Sequence, residues 1–164
     1  MSNDSSVDPD WAALLDLSAE ERDSRMVEAY TGIAALSEED RQQRLEQLIR
    51  TVYAMPDAAL RTMTESRLRA WLRMDPGQAA TVGRQFETAL NGMPANIAMR
   101  RVTIVQSVSG NLALEDREKL RHIVPGVLGD EPLTFSGNRV DGTPGAAPAP
   151  VAAKPRPWWQ FWRR

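Results

Sequence analysis

A nineteen-residue period runs through most of the chain. Six large apolar residues stand nineteen positions apart, namely Leu17, Leu36, Met55, Met74, Met93 and Leu112. The next residues are Ser18, Ser37, Pro56, Asp75, Pro94 and Ala113, and five of these six are types favoured at a helix N-cap or in its first turn. The period therefore predicts six successive helix starts, each helix having about sixteen residues after a short turn.

The two clearest units are LSAEERDSRMVEAYTGIAA and LSEEDRQQRLEQLIRTVYA. In the first, Ser18 and Glu21 have the capping-box spacing, in which each side chain satisfies a free backbone N–H of the other residue. The second unit approximates this with Ser37 and Asp40. Acidic residues in a first turn also offset the helix dipole, so we interpret both acidic runs as capping residues and not as a cation site.

Apolar residues recur at i, i+3, i+4, i+7 and i+8, which is one stripe of an α-helix. The stripe of the first unit returns nineteen residues later in the second: Met26, Ala29, Tyr30, Ile33 and Ala34 correspond to Leu45, Leu48, Ile49, Val52 and Tyr53. The third and fourth units keep part of it, and the last two depart further. Pro125 and Gly126 are expected to interrupt the last helix, because proline removes a backbone donor and clashes with the preceding turn.

Helices this short must pack on their neighbours to bury their apolar stripes. Short turns favour antiparallel neighbours, so two units make a helical hairpin. The sequence predicts an all-α domain over residues 10–130, in which tandem short antiparallel helices form a small α-solenoid or a bundle. Trp11, with Leu14 and Leu15, predicts a short leading helix that covers the open end of the stack. The opening L-S-x-E-E-R, as in LSAEER, resembles helical half-repeats in the N-terminal domains of some bacterial magnesium channels and flagellar motor-switch proteins, a resemblance that carries no functional residue.

The ends of the chain differ in composition from the helical part. Residues 1–9 are polar and acidic, and we expect them to be disordered. Residues 131–157 are rich in proline, alanine and glycine, which predicts a disordered linker because such a segment buries too little apolar surface. The segment 158–164, WWQFWRR, forms a separate tail motif rich in tryptophan and arginine.

Charge is distributed unevenly along the chain. Residues 1–153 hold 16 basic and 22 acidic residues, whereas the segment from 154 onward holds four basic residues and no acidic one. An acidic body argues against nucleic-acid binding, which requires a basic face. The polar, acidic N-terminus is unlike a secretory signal, which predicts a cytoplasmic protein. The strong preference for arginine over lysine is typical of a GC-rich bacterial genome.

Residue types needed for common catalytic sites are scarce. The chain has no cysteine and a single histidine, His122, which excludes thiolate sites and multi-histidine metal centres. It has no Gly-rich phosphate loop of the G-x-x-x-x-G-K-S/T type. We therefore expect a non-enzymatic protein without a cofactor or a metal, and we interpret His122 as a structural residue near the end of the last helix.

Four polar residues interrupt the apolar stripe, namely Thr64, Arg67, Glu87 and Gln106. Buried charge is costly unless it is paired. These side chains are therefore expected either to face solvent at the edge of the stack, which we favour, or to line a groove for a peptide or a partner helix.

The tail gives the strongest functional signal. Its candidate binding residues are Trp158, Trp159, Phe161, Trp162, Arg163 and Arg164. Tryptophan prefers the membrane–water interface and arginine is drawn to anionic lipid, so the tail suits the surface of a membrane, such as the cytoplasmic face of an inner membrane. Two alternatives remain open: the tail is a docking peptide for a partner protein, or it folds back onto its own helices. The sequence thus predicts a helical-repeat adaptor or scaffold whose oligomeric state is unknown.

Overall fold

The computed structural model of the chain describes residues 10–128. This part is all-helical and contains six α-helices. They are α1 (Ala19–Ala34), α2 (Glu38–Tyr53), α3 (Asp57–Arg73), α4 (Pro76–Asn91), α5 (Ala95–Ser109) and α6 (Leu114–Ile123). Successive helices begin nineteen residues apart, which confirms the period in the sequence.

Capping residues set several of these helix starts. Ser18 and Glu21 form the complete capping box at the start of α1. The side chain of Ser37 accepts a hydrogen bond from the backbone N–H of Asp40 at the start of α2. At the start of α4, Asp75 accepts from two backbone N–H groups. Each of these bonds satisfies a donor that the first helical turn would otherwise leave unpaired, so the helix start is fixed locally.

Hairpin-like contacts between successive helices are present, but the most extensive packing joins helices two units apart. Helix α1 packs on α3, α3 packs on α5, and α2 packs on α4. Helix α6 packs on α3 and α4. The helices therefore form two rows, α1–α3–α5 and α2–α4–α6, and the rows are joined chiefly by the contact of α1 with α4.

An aromatic series runs through the centre of the core. Trp11 lies 6.1 Å from Tyr30 between ring centroids, Tyr30 lies 5.8 Å from Trp71, and Trp71 lies 5.6 Å from Phe86. The last two pairs have the edge-to-face geometry that aromatic quadrupoles favour. The series links the leading segment to α1, α3 and α4.

The leading segment closes one end of the core. Ala13–Asp16 form a short 3-10 helix, and the side chains of Trp11 and Leu14 are buried. This helix contacts α1 and α3. The short leading helix predicted from Trp11, Leu14 and Leu15 is present and covers apolar surface of the α1–α3 row.

The last helix ends where the sequence predicts an interruption. Helix α6 stops at Ile123, two residues before Pro125, and Gly126 has a φ of 80°. The side chains of Val124, Val127 and Leu128 are nevertheless buried in the core. We call residues 124–128 the exit segment, because the chain leads from it to the linker and tail.

Candidate functional site

The predicted binding residues of the tail lie outside the described part of the chain, as do residues 1–9 and the segment predicted to be a linker. The structure does locate the exit segment that precedes them. It also locates the four polar residues of the repeat stripe, and it does not bring these four together.

Thr64 and Arg67 lie inside the helical core. The side chain of Thr64 is fully buried and Arg67 is only 3% exposed. The sequence had led us to expect both side chains in solvent at the edge of the stack, and this expectation is wrong for Thr64 and Arg67. Because both are buried, neither is open to a groove. Both occupy stripe positions on α3, so the repeat register is maintained even though the residue types are polar.

Aromatic rings surround the buried guanidinium of Arg67. Its Cζ lies 4.3 Å from the ring centroid of Phe86 and 5.5 Å from that of Trp71. A cation over an aromatic face is attracted by the ring quadrupole, and this attraction is stronger away from water. The rings of α3 and α4 therefore offset part of the cost of burying this charge.

Tyr30 on α1 belongs to the same cluster. Burial raises the pKa of its hydroxyl above the usual range, while the neighbouring Arg67 charge and a hydrogen bond to Arg67 oppose this shift. The hydroxyl is consequently neutral at physiological pH, and the cluster carries the positive charge of Arg67. No proton exchange near neutrality is expected from Tyr30, which favours a structural role for this cluster.

Glu87 on α4 pairs with a residue that sequence reasoning missed, Arg101 on α5. Their side chains form an ion pair in which Arg101 is buried and Glu87 is mostly buried, with 20% of its side chain exposed. Arg101 also donates to the backbone carbonyls of Gly126 at 3.2 Å and Val127 at 3.3 Å. One guanidinium thus ties α4, α5 and the exit segment together.

Burial raises the pKa of Glu87, although Arg101 and Arg67 oppose the shift. Between its ordinary value of 4.5 and the raised value, the folded state retains a proton that the unfolded chain has lost. The contribution of Glu87 to stability therefore falls as the pH rises through this window.

Glu87→Gln cannot ionise, so its free energy of unfolding is expected to rise relative to that of the wild type as the pH increases above 4.5. Urea unfolding of both proteins at a series of pH values from about 4 to 7 measures this trend. Changing the exposed Glu118 to glutamine controls for the loss of a surface carboxylate. A difference that moves in the opposite direction would show that the pairing with Arg101 outweighs the burial.

Gln106 lies apart from the other three residues. It is exposed on the outer side of α5. The polar residues of the stripe therefore have three different environments: the core for Thr64 and Arg67, a buried ion pair for Glu87, and solvent for Gln106.

The exit segment fits against α4 at Gly83. A β-carbon at Gly83 would overlap the Cγ2 atom of Val124. This position corresponds in the repeat to Met26, Leu45 and Thr64, all of which have a side chain. The glycine therefore makes room for the exit segment, and the point from which residues 129–164 begin is fixed on the domain.

Two arginine clamps join helices across the stack, and sequence reasoning missed both. Arg41 on α2 donates to the carbonyl oxygens of Ile33, Ala34 and Leu36 at the end of α1, and to the side chain of Gln85 on α4. Charged hydrogen bonds to the free carbonyls of a helix end are favourable. The clamp therefore holds α2 against both α1 and α4.

The second clamp, Arg100 on α5, acts in the same way on the α2–α3 turn. It donates to the carbonyl oxygens of Tyr53 and Met55 and pairs with Asp57 at 2.6 Å. Arg100 aligns in the repeat with Thr81 and Thr62, so the nineteen-residue period gives no sign of this role. Only the packing of α5 on α3 brings Arg100 to the turn.

A third charged contact, also missing from the sequence-based prediction, joins α1 to α3. The buried carboxylate of Asp23 lies 3.5 Å from Arg73 and 4.0 Å from Arg69. The neighbouring Arg22 donates to Ser66 at 3.1 Å. These side chains connect α1 and α3, the two helices that pack most extensively, so they stabilise the fold.

Among residues 10–128, no group of three or more His, Asp or Glu side chains is placed to hold a metal ion. His122 is exposed in the last turn of α6. Over the same residues, no helix has both the length and the apolar character that crossing a membrane requires.

The chain matches no protein-family model, no curated protein and no solved structure. The described geometry defines an all-α domain in which several charged residues join neighbouring helices. Its functional interpretation therefore depends on the surface of this domain and on the composition of the tail.

Proposed function

We propose that the chain is a non-enzymatic helical-repeat adaptor, tethered to a membrane surface by its C-terminal tail. The observation that carries this proposal is the segment WWQFWRR, in which three tryptophans, one phenylalanine and two arginines stand together. Tryptophan rings favour the membrane–water interface, and each arginine near an anionic surface contributes about 1 kcal/mol. The tail would place the domain at the cytoplasmic face of a bacterial inner membrane.

The charge distribution supports this arrangement. The acidic body is repelled by an anionic membrane, whereas the basic tail is attracted to it. The exit segment, held by Arg101 and by the space at Gly83, gives the linker a fixed starting point on the domain. A partner bound to the helices would thus be held near the membrane by a tether that begins at a defined place.

Deletion of residues 154–164 is expected to remove binding to anionic vesicles. The deletion takes away both the apolar rings and the four basic residues of this segment. Cosedimentation of the intact and shortened chains with vesicles of phosphatidylglycerol and phosphatidylcholine measures the effect. If both proteins sediment equally, or if neither does, the tail is not the membrane contact.

Changing Arg163 and Arg164 to glutamine tests the electrostatic part of this binding. At about 1 kcal/mol for each arginine, the affinity for anionic vesicles should fall roughly 30-fold and lose much of its dependence on salt. Vesicles of phosphatidylcholine alone serve as the control, since they carry no net charge for arginine to recognise. An unchanged affinity on anionic vesicles would contradict the electrostatic contribution.

The alternative function is a soluble interaction module whose tail docks into a partner protein, because tryptophan and arginine are also common hot-spot residues. Reversing WWQFWRR to RRWFQWW keeps the composition and charge but changes the order of side chains. Vesicle binding should largely survive this reversal, since lipid has no shaped pocket. If the native tail fails to bind vesicles and the reversed tail loses cellular localisation, the docking peptide is the better explanation.

A further inference from the structure

The core around Arg67 contains polar side-chain atoms that no other group in the described part of the chain satisfies. The buried atoms without a hydrogen-bond partner there include the Nε of Arg67, the Oγ1 of Thr64, the Nε1 of Trp71 and the hydroxyl oxygen of Tyr53. Thr64 and Trp71 are fully buried, and Arg67 and Tyr53 are only 3% and 4% exposed. Buried polar atoms in native proteins nearly always have a partner, so this group requires an explanation.

These atoms share a chemical character. The N–H groups of Arg67 and Trp71 donate and cannot accept, and the hydroxyl groups of Thr64 and Tyr53 can each donate. Thr64, Arg67 and Trp71 stand at i, i+3 and i+7 of α3, so their side chains lie on one face of that helix. Tyr30 of α1 hydrogen-bonds to Arg67, has its ring 5.8 Å from that of Trp71, and lies near Tyr53 of α2. The group is therefore rich in donors and lacks an acceptor.

The charge of Arg67 has no direct counterion in the described part of the chain, where none of the ion pairs includes its guanidinium. Glu87 acts on Arg67 electrostatically, but its carboxylate is paired with Arg101. Two buried guanidinium groups thus share one carboxylate, which leaves one positive charge unbalanced. The rings of Phe86 and Trp71 attract this cation without neutralising it.

We propose that the donors around Arg67 bind one small monovalent anion, such as chloride, inside the core. One negative charge balances the guanidinium, and a chloride ion accepts hydrogen bonds from several N–H and O–H groups at once. A water molecule would accept from some of these donors but would bring no charge to balance Arg67. Since the donors belong to α2 and α3 and are at most 4% exposed, the ion stabilises the folded domain and takes no part in a surface reaction.

Replacing gluconate with chloride at constant ionic strength tests the proposal, because gluconate is too bulky for a buried site. An ion that binds the folded chain and not the unfolded chain raises the folding equilibrium constant in proportion to its concentration, once this exceeds the Kd. Between about 20 and 200 mM chloride, the folding equilibrium constant of the full chain should therefore rise by up to about tenfold. Urea unfolding measures this rise.

Arg67→Met should abolish the response to chloride, since methionine removes the charge and the donors but keeps a long, unbranched side chain. Arg61→Met is the matched control: Arg61 is exposed on the same helix, and its change should leave the response intact. Two milder variants cover the case in which Arg67→Met does not fold. Thr64→Val and Trp71→Phe each remove one donor and keep most of the shape, so each should raise the Kd for chloride roughly tenfold.

Bromide locates the ion directly, because it substitutes for chloride and scatters X-rays anomalously. Crystals of the full chain grown in bromide should show an anomalous peak within hydrogen-bonding distance of the Nε of Arg67. A water molecule at this place, with no anomalous peak, would overturn the proposal. So would a wild-type stability that does not change with chloride, or an equal response of the wild type and Arg67→Met. A bromide peak without a chloride response in urea would mark an adventitious ion only, and it too would overturn the proposal.

Discussion

Replacing Leu48 with alanine is expected to lower the free energy of unfolding by about 2–5 kcal/mol. Leu48 lies on the apolar stripe of α2 and is only 3% exposed, in a helix that packs on α4. The substitution removes buried methyl groups and leaves a cavity that the neighbouring helices fill only in part. Chemical denaturation followed by circular dichroism measures the loss as a shift in midpoint at constant slope.

The adjacent residue supplies the control. Gln47 is exposed on the other side of α2, so Gln47→Ala should change the free energy of unfolding by no more than about 0.5 kcal/mol. The two substitutions lie in the same helix and both create alanine. Equal effects would therefore mean that the assignment of the buried face is wrong.

The nineteen-residue period predicted the helix starts correctly because the signals for a helix start are local. Serine, aspartate and proline act within one turn of the residue that they cap or begin, so neither the core nor a partner helix is needed to place them. All six helices begin in this register, at intervals of nineteen from Ala19 to Leu114. The apolar stripe of the second unit, including Leu45, Leu48 and Ile49, is buried as predicted.

The environments of Thr64 and Arg67 could not be predicted from residue type. Both align in the repeat with buried leucines, Leu45 and Leu48, so the register alone would have placed them in the core. The cost of burying a charge argued for the surface instead. What offsets this cost is a pair of rings, Trp71 and Phe86, and one of these belongs to another helix.

The packing of helices two units apart was also beyond the sequence pattern. The nineteen-residue period fixes where the helices begin. It contains no information on which helices pack against each other through their apolar stripes. Two arginine contacts depend on this packing. Arg41 on α2 reaches Gln85 on α4, which is in the same row, and Arg100 on α5 reaches the turn between α2 and α3. The tail residues Trp158 to Arg164 lie outside the described part of the chain, so their role stays a prediction.

Gly83→Ala is expected to destabilise the fold by up to about 2 kcal/mol, even though alanine is the better helix former. In the interior of a helix this change alone would contribute about 1 kcal/mol of stability. At Gly83, however, the new methyl group would overlap Val124 of the exit segment. Overpacking of a buried site costs about 1–3 kcal/mol, and the valine cannot turn aside easily because its side chain is branched at Cβ.

Gly32→Ala in α1 is the matched substitution, since nothing lies within 4 Å of a β-carbon built there. It should stabilise the protein by up to about 1 kcal/mol, so the two glycines should respond with opposite signs. Adding Val124→Ala to Gly83→Ala should recover part of the loss, because it removes the overlapping methyl groups; the coupling between the two sites is then read from a double-mutant cycle. Similar effects at Gly83 and Gly32, with no coupling between Gly83 and Val124, would show that the exit segment does not pack against α4 in solution. The domain would then provide no fixed starting point for the tail.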